Sequence, residues 1–299
     1  MVIGVGQLGP VQKHHSRKQV VARLVKHLED ASLQGCELVV FPELALTTFF
    51  PRWYVEQCSE MDAYFERSMP NESTKPLFDG AKKLGIAFVL GYAELSSDDD
   101  GNSRHYNTSI LVDASATIVA KYRKVHLPGH AELESYRPFQ HLEQRYFERG
   151  DGFSVWDALG MRFGMCLCND RRWSESYRVM GLQGVELIAL GYNTPKHYPP
   201  FPEIDELAVF HHQLVMQAGA HQNACWVAAA AKAGNEEGVP MIGASSIISP
   251  SGQIVAQSKS EEDELIVAEC DLALARKYKR TLFNFASHRH PPAYSTICK

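Results

Sequence analysis

Short apolar runs alternate with helix-periodic stretches from one end of this 299-residue chain to the other. The segment Glu37–Phe41 (ELVVF) is apolar after its first residue, which is typical of a strand buried on both faces. Apolar residues from Val20 to Leu28 recur at helical spacing, so we predict an amphipathic helix over about 17–32 with Ser16 as its N-cap. Strands of this kind need helices to cover them, so the pattern predicts stacked layers of sheet and helix.

The same patterns extend over the rest of the chain. Further helices are predicted near 73–84 and 205–221, and strands at 2–6, 86–95, 108–112, 117–121, 161–168, 186–190, 225–230, 241–248, 253–257 and 265–269. Several of these strands follow one another closely enough to form hairpins, so a purely parallel, doubly wound sheet is not expected. No linker or shift in composition divides the chain, and residues 1–299 are therefore expected to form a single domain of β-sheets covered by helices.

Charge and composition exclude two classes of partner. The chain has 30 Lys and Arg against 35 Asp and Glu, a net charge of -5, whereas nucleic-acid binding depends on excess positive charge. No apolar run approaches the roughly 20 residues that span a bilayer. The first residues lack the pattern of a signal peptide, and seven cysteines, an odd number, indicate free thiols in a reducing compartment. We therefore expect a cytoplasmic protein that binds neither nucleic acid nor membrane.

Gly4, Gly6 and Gly9 match the GxGxxG pattern of dinucleotide-binding proteins. In those proteins the glycines lead directly into a helix whose N-terminus holds the pyrophosphate. Here Pro10 and the polar run 12–15 separate the glycines from the first helical spacing. The pattern therefore predicts a strand end with a tight turn, and no organic cofactor is expected.

Three reactive side chains lie at or just after the ends of predicted strands. Glu43 lies just past a buried strand, where apolar surroundings would raise its pKa and suit it to act as a general base. Lys124 follows the strand at 117–121 and could stabilise an oxyanion. Cys168 is the last residue of the strand predicted at 161–168 and could act as a nucleophile. Each residue alone also fits a simpler role: a solvated acid, a basic loop residue or a small buried hydrophobe.

Two cysteines compete for the role of nucleophile. Strand alternation places Cys166 and Cys168 on the same face, and polar residues begin at Asn169. Cys168 is therefore expected at the strand exit, where a nucleophile is exposed and backbone N–H groups can receive an oxyanion. Cys166 is expected to lie one pleat inside, as a packed thiol.

The three residues stand in the motifs FPEL, YRKVHLPG and CNDRRW, and together these resemble the nitrilase superfamily of carbon-nitrogen hydrolases. The resemblance implies a four-layer α-β-β-α sandwich that associates into homodimers or homotetramers. It implies Glu43 as general base, Lys124 as oxyanion stabiliser and Cys168 as nucleophile, without metal or organic cofactor. Glu143 matches the second glutamate of this superfamily, which positions the lysine.

The surrounding segments 124–130, 138–143 and 191–195 are similar to those of N-carbamoyl-D-amino acid amidohydrolases. The implied substrate is a small molecule that carries a carboxylate, and the preference for the D form follows from the resemblance alone. A guanidinium binds a carboxylate through two hydrogen bonds, so at least one of two adjacent arginines is expected to do so. The expected substrate-binding residues are Arg171, Arg172, Asn193, Thr194, His126, His141 and the backbone N–H of Asn169. The two histidines fit structural hydrogen bonds equally well.

Two alternatives stay open at this point. The first is another amidase of the same superfamily, acting on a simple amide, a nitrile or a carbamoyl-amine, none of which needs an arginine pair. The second is a metal-binding or regulatory protein that uses Cys166, Cys168 and histidines. Zinc sites favour cysteine pairs two to four residues apart with a matching second pair, and Cys-Leu-Cys does not fit that pattern.

Overall fold

Two mixed β-sheets of six strands each form the centre of the computed structural model, which describes residues 1–137, 139–198 and 201–298. Pro138, in one of the segments noted above, lies outside the described residues. The inner faces of the sheets pack on each other, and helices cover both outer faces. The molecule is therefore the α-β-β-α sandwich that the sequence predicted.

The elements alternate in the order expected from the sequence. The strands are β1 (Val2–Gln7), β2 (Leu38–Val40), β3 (Ala87–Ser97), β4 (Ser103–Val112), β5 (Ile118–Arg123), β6 (Val155–Ala158), β7 (Met161–Leu167), β8 (Leu187–Tyr192), β9 (Trp226–Ala231), β10 (Ala233–Glu236), β11 (Val239–Ile242), β12 (Ser246–Ile248), β13 (Ile254–Gln257) and β14 (Glu264–Glu269). The helices are α1 (Arg17–Leu33), α2 (Lys75–Leu84), α3 (Glu143–Tyr146), α4 (Ser174–Leu182), α5 (Ala208–Asn223), α6 (Leu272–Arg280) and α7 (Phe285–His288).

Both sheets have parallel strands in the middle and antiparallel strands at the edges. The first sheet has the order β14-β1-β2-β3-β4-β5, with β1, β2 and β3 parallel and β14 antiparallel to β1. The second has the order β13-β12-β9-β8-β7-β6, with β7, β8 and β9 parallel. β10 and β11 form a separate hairpin. Parallel strands end at the same edge, so residues that follow β2 and β7 can converge on one place.

Strand β2 shows why its sequence is apolar throughout. Leu38 and Val40 pack between the two sheets, whereas Val39 packs against α1 and α2 on the other side. Helix α1 turns its apolar stripe toward that outer face, as predicted, and the Ser16 side chain accepts a hydrogen bond from the backbone N–H of Gln19. The prediction for this helix and its cap is confirmed.

Some elements differ from the prediction. The predicted strand at 241–248 is two strands, because Gly243 and Ala244 adopt positive φ angles of 56° and 58° and interrupt the pairing. The short strands β6 and β10 and the helices α4 and α6 have no predicted counterpart. Helix α4 begins with the polar residues Ser174 and Glu175, so its start carries no apolar periodicity.

The glycine pattern near the N-terminus is explained by packing. Gly4 and Gly6 lie within β1, and a Cβ atom on Gly6 would lie 2.8 Å from the ring of Phe41. The next helix begins only at Arg17.

In the part of the chain that the structure describes, no helix is both long and apolar enough to cross a membrane.

Candidate active site

The predicted reactive residues meet at one edge of the sandwich. Glu43 follows β2, Lys124 follows β5 directly, Cys168 follows β7 directly, and Glu143 is the first residue of α3. Glu43, Lys124 and Glu143 are fully buried, and Cys168 is 6% exposed. The two sheets therefore bring a thiol, an ammonium and two carboxylates into one buried cluster.

The Lys124 ammonium lies between the two carboxylates. Its Nζ donates to Glu43 Oε1 at 2.7 Å and to Glu143 Oε2 at 2.6 Å. Asn107 Nδ2 donates to Glu43 Oε1 at 2.8 Å and lies 3.4 Å from Glu143 Oε2. The arrangement leaves Lys124 charged at neutral pH, since burial alone would lower its pKa but Glu143 and Glu43 raise it above its ordinary value.

The two glutamates differ in their electrostatic surroundings. Burial raises the pKa of Glu43, and the nearby charge of Glu143 adds to this effect, whereas Lys124 opposes it. Burial works in the same direction on Glu143, but Lys124 and His141 hold the pKa of Glu143 below its ordinary value. The His141 ring nitrogen Nε2 lies 3.3 Å from Glu143 Oε1. Glu43 is therefore the better proton acceptor of the pair, and Glu143 is the fixed counter-ion of Lys124.

Glycines from both sheets make room for the backbone that carries Glu43. A Cβ atom on Gly91 in β3 would lie 2.5 Å from the carbonyl oxygen of Pro42. A Cβ atom on Gly191 in β8 would lie 2.4 Å from the backbone nitrogen of Glu43. Such distances are far shorter than van der Waals contact, so the Pro42–Glu43 peptide fits between the sheets only because both positions lack side chains.

Asn193 links the carboxylate to the thiol. Its backbone N–H donates to Glu43 Oε2 at 3.0 Å, and its side-chain Nδ2 donates to the Glu43 carbonyl at 2.8 Å. The Cys168 thiol donates to the Asn193 carbonyl at 3.4 Å. Burial and the charge of Glu43 raise the pKa of Cys168, while Lys124 and Arg171 work against that rise. The resting thiol is therefore protonated and needs a base to become a nucleophile.

Asp170 fixes the turn on which Cys168 stands. Cys168 has a φ of 43°, in the left-handed region that non-glycine residues seldom occupy. Asp170 Oδ2 accepts from the backbone N–H of Leu167 at 2.9 Å and from the Tyr122 hydroxyl at 2.6 Å, and Oδ1 accepts from the backbone N–H of His126 at 2.9 Å. One carboxylate thereby joins the cysteine turn to the loop that carries Lys124.

His126 is held by the same carboxylate. Its ring nitrogen Nδ1 lies 3.0 Å from Asp170 Oδ1, and the ring stacks between Phe153 and Trp173 with centroid distances of 5.7 Å and 5.3 Å. His126 does not line the cavity described next. The contact with Asp170 and the stacking hold the ring to one side, and its expected contact with the substrate stays a prediction.

A cavity of about 340 Å³ opens onto Cys168. Five other expected site residues line it: His141, Asn169, Arg172, Asn193 and Thr194. Apolar surface predominates in the rest of its wall, which includes Pro128, Pro195, Tyr198, Ile204, Ala208 and Val215. Lys196, Asp205, His211 and His212 add polar groups to this wall. The Arg172 side chain is exposed, and it makes no hydrogen bond or ion pair with any residue that the structure describes. Arg172 is thus a cation available to a ligand.

Arg171 is placed differently from its neighbour. It is 2% exposed, it does not line the cavity, and its donors are used inside the protein. Its guanidinium donates to the Cys168 carbonyl at 2.6 Å, to Thr194 Oγ1 at 2.9 Å and to His212 Nδ1 at 2.9 Å. The expectation that one arginine of the pair faces a ligand therefore rests on Arg172.

Asn107, Asp170 and His212 complete the site, and the sequence analysis missed all three. Asn107 lies just before the predicted strand at 108–112, and only the pairing of β4 with β5 brings it beside Lys124. Asp170 is part of CNDRRW, so its closeness to Cys168 was a usable signal. His212 reaches Arg171 from α5, and nothing in its local sequence indicates that contact.

The described residues offer no cluster of three or more His, Cys, Asp or Glu side chains that could hold a metal ion. Six of the seven cysteines lie in the described side chains, and all six are free thiols. Of these, Cys58 is exposed and the others are buried. Cys166 is buried within β7, as predicted, and burial raises its pKa well above the ordinary value.

Comparison with solved structures defines the class of fold. A carbon-nitrogen hydrolase from Helicobacter pylori G27 superposes with a TM-score of 0.83 at 21% sequence identity, over 100% of this chain and 98% of that one. The protein is thus a sandwich of the type that carbon-nitrogen hydrolases adopt.

Sequence comparison gives the family. The carbon-nitrogen hydrolase family model matches residues 2–280. A nitrilase from Pyrococcus abyssi (strain GE5 / Orsay) is 32% identical over 252 residues, which cover 84% of this chain and 83% of that protein. An N-carbamoylputrescine amidase from Arabidopsis thaliana is 28% identical over 290 residues, 93% of this chain and 89% of that protein. The chain belongs to the carbon-nitrogen hydrolase family, within the nitrilase superfamily.

Proposed function

We propose that this hydrolase cleaves N-carbamoyl amino acids to the amino acid, carbon dioxide and ammonia. One observation carries the proposal: Arg172 lines the same cavity as Cys168 and has no anionic partner among the described residues. A guanidinium in that setting favours a ligand with a carboxylate. Preference for the D form is part of the proposal and rests on the resemblance of the motifs to N-carbamoyl-D-amino acid amidohydrolases.

The first half of the reaction uses the buried cluster. Glu43 accepts the thiol proton as Cys168 Sγ attacks the ureido carbonyl carbon. The resulting oxyanion is stabilised by the Lys124 ammonium and by the backbone N–H of Asn169. When the carbon–nitrogen bond breaks, Glu43 returns its proton to the leaving amine. The amino acid departs, and a carbamoyl thioester remains on Cys168.

The second half releases that carbamoyl group. Glu43, again a carboxylate, removes a proton from a water molecule as the water attacks the thioester carbonyl. The thioester breaks, Cys168 recovers its proton, and the carbamate product decomposes to carbon dioxide and ammonia. Glu143 keeps Lys124 in place through both halves, and no metal or cofactor takes part. A ureido carbonyl is a weak electrophile, which is why oxyanion stabilisation matters here.

The main alternative is a substrate without a carboxylate. The same thiol chemistry would act on a simple amide, a nitrile or a carbamoyl-amine. The similarity to an N-carbamoylputrescine amidase supports the carbamoyl-amine among these. Such substrates give Arg172 no partner. A metal-binding or regulatory protein is the alternative of a different class, and metal analysis of the purified protein tests it.

The substrate assay compares four compounds at equal concentration: an N-carbamoyl-D-amino acid, its L enantiomer, a carbamoyl-amine and a simple amide. We expect ammonia release to be fastest with the D-amino acid derivative. Faster turnover of the carbamoyl-amine or of the amide would contradict the proposed substrate class. Faster turnover of the L enantiomer would contradict the proposed preference for the D form but not the proposed substrate class.

The carboxylate contact is tested by Arg172→Gln. Loss of one charge-assisted contact of about 1.5–3 kcal/mol corresponds to a KM increase of about 10- to 150-fold for the carbamoyl amino acid. Turnover of the neutral amide should change little. Arg67→Gln is the matched control, since Arg67 is exposed and Asp62 is its one ion-pair partner among the described residues. An unchanged KM in Arg172→Gln would remove the basis of the proposal.

A further inference from the structure

Arg171 is a buried cation surrounded by neutral acceptors. No carboxylate among the described residues lies within ion-pair distance of its guanidinium. Its partners are a backbone carbonyl, the Thr194 hydroxyl and an imidazole, and the ring of Tyr192 lies 4.9 Å away. Burying a charge without an opposite charge is unfavourable, so such a group is a site where an anion becomes more stable.

The nearest group that can become an anion is the thiol of Cys168. Arg171 Nη1, which donates to the Cys168 carbonyl, lies 3.6 Å from Cys168 Sγ. This nitrogen therefore contacts both the backbone and the reacting atom of one residue. The other charged groups that act on Cys168 are Glu43, Lys124, Glu143 and Arg172. Of these, Lys124 is already shared between two carboxylates. Among the described residues, Arg171 is the cation that contacts this sulfur and has no carboxylate partner.

His212 determines how the guanidinium is oriented. His212 Nδ1 accepts from Arg171 Nε, so the imidazole is neutral and carries its proton on Nε2. His212 is 3% exposed, and burial together with Arg171 lowers its pKa well below the ordinary value, which keeps Nδ1 an acceptor at neutral pH. With Thr194 Oγ1 on Nη2 and the Cys168 carbonyl on Nη1, all three nitrogens of the guanidinium are held.

We propose that Arg171 is the counter-ion of the Cys168 thiolate, that His212 is its positioning residue, and that Arg172 alone binds the substrate carboxylate. The proton leaves Sγ for the Glu43 carboxylate, and the negative charge that remains on sulfur faces Nη1 of Arg171. The two adjacent arginines thus serve different partners. Only the assignment of Arg172 rests on the proposed function, because the role of Arg171 concerns the thiol whatever the substrate is.

The test measures alkylation of Cys168 by iodoacetamide, a neutral reagent without a carboxylate, as a function of pH. A Cys58→Ser background removes the exposed thiol among the described cysteines, and mass spectrometry of the peptide identifies the alkylated residue. We expect Arg171→Gln to move the alkylation midpoint upward by about one pH unit, which slows the reaction about 10-fold at neutral pH. Arg172→Gln should move the midpoint less than Arg171→Gln does, and Arg67→Gln, the exposed control, should leave it unchanged.

Arg171→Lys separates charge from shape. It keeps the positive charge and should retain an alkylation midpoint close to that of the parent. His212→Phe removes the acceptor for Nε and should slow alkylation by about threefold, as an order-of-magnitude expectation for a lost neutral hydrogen bond. This variant also carries the test if Arg171→Gln does not fold. Thermal unfolding of each variant shows which ones are native.

Specific results would overturn the proposal. If Arg171→Gln is folded and is alkylated like the parent, or if Arg172→Gln shifts the midpoint instead, Arg171 is not the counter-ion. The same conclusion follows if His212→Phe is native and leaves the midpoint unchanged. These results do not depend on which amide is hydrolysed, so a failure here is distinguishable from a failure of the substrate assay.

Discussion

Cys168 and Cys166 are both thiols and lie two residues apart, yet we expect only Cys168 to attack a substrate. Cys166 is inside β7 and is packed in the hydrophobic core, whereas Cys168 follows the last strand residue and borders the cavity. The φ of 43° at Cys168 turns the chain sharply away from the sheet. Exit from the strand, and not the thiol itself, makes the difference.

This difference predicts the outcome of two matched substitutions. Cys168→Ala should lose at least 1,000-fold in kcat, because the nucleophile is absent. Cys166→Ala should keep most of the activity and lose about 1–2 kcal/mol of stability, since a small buried side chain is shortened. Ammonia release and thermal unfolding measure the two effects. Full activity in Cys168→Ala would rule out the proposed mechanism.

The raised pKa of Glu43 predicts the acid limb of the pH profile. Glu43 can accept the thiol proton only as a carboxylate, so activity falls as pH decreases through its pKa. Because that pKa is raised, the limb should lie above the ordinary glutamate value of about 4.3. A profile of kcat/KM against pH measures it, with circular dichroism to show that the protein stays folded. An acid limb of kcat/KM with its midpoint at or below about pH 4 would exclude Glu43 as the base.

At the residue scale, motifs predicted the reactive groups but not the groups that hold them. Glu43, Lys124 and Cys168 are recognisable because each stands at a strand end within an informative motif. Asn107 and His212 act through contacts between distant parts of the chain, which no local pattern encodes. The division between Arg171 and Arg172 also depends on which side chain the fold buries, and two identical adjacent residues give no sign of it.

Strands β3 and β8 illustrate how whole elements serve the site. They belong to different sheets, and each contributes a glycine where it passes the Pro42–Glu43 peptide. The two positions set the distance at which the sheets can pack around Glu43, the proposed general base. The absence of two side chains is therefore as important for Glu43 as its hydrogen bonds.

Two glycine substitutions test this role. Gly191→Ala should lower kcat by about 100-fold or more and destabilise the fold by about 1–3 kcal/mol, because the new Cβ would overlap the Glu43 backbone. Gly80→Ala is the control: it lies in α2, its Cβ would meet nothing closer than 3.8 Å, and alanine favours helix by up to about 1 kcal/mol. Equal activity in both variants would contradict the steric argument.

At the element scale, strong periodicity was a reliable guide and weak periodicity was not. Helix α1 and the strand β2 were predicted because their apolar residues follow one clear spacing. β6 and β10 have four residues each, which is too short for alternation to be distinguished from chance. The break between β11 and β12 depends on backbone angles at Gly243 and Ala244, and alanine is not a residue that signals a turn.

The whole molecule divides its reactive groups between two sheets. Glu43 and Lys124 follow strands of the first sheet, and Cys168 follows a strand of the second. Neither sheet alone holds a complete set, so the site exists only when the inner faces are packed together. That the chain forms one domain over 1–299 stays a prediction.

The expected association of copies also belongs to this scale. The nitrilase resemblance implies contact through helices, and α4 and α5 leave large apolar side chains exposed, among them Val179, Leu182, Phe210 and Leu214. We expect light scattering to give the mass of a dimer or tetramer, and Leu214→Glu to reduce it. A monomeric parent at micromolar concentration would show that the expectation is wrong.

Strand pairing also determines when the first sheet can be completed during synthesis. Residues 2–7 of β1 pair with residues 264–269 of β14, so β1 is synthesised long before the strand with which it pairs. Until then one edge of β1 lacks its antiparallel neighbour, and an unpaired edge invites aggregation. Contacts so distant in sequence also form slowly. A growing chain on the ribosome is thus expected to remain inactive, and chaperones should improve its yield most during this interval.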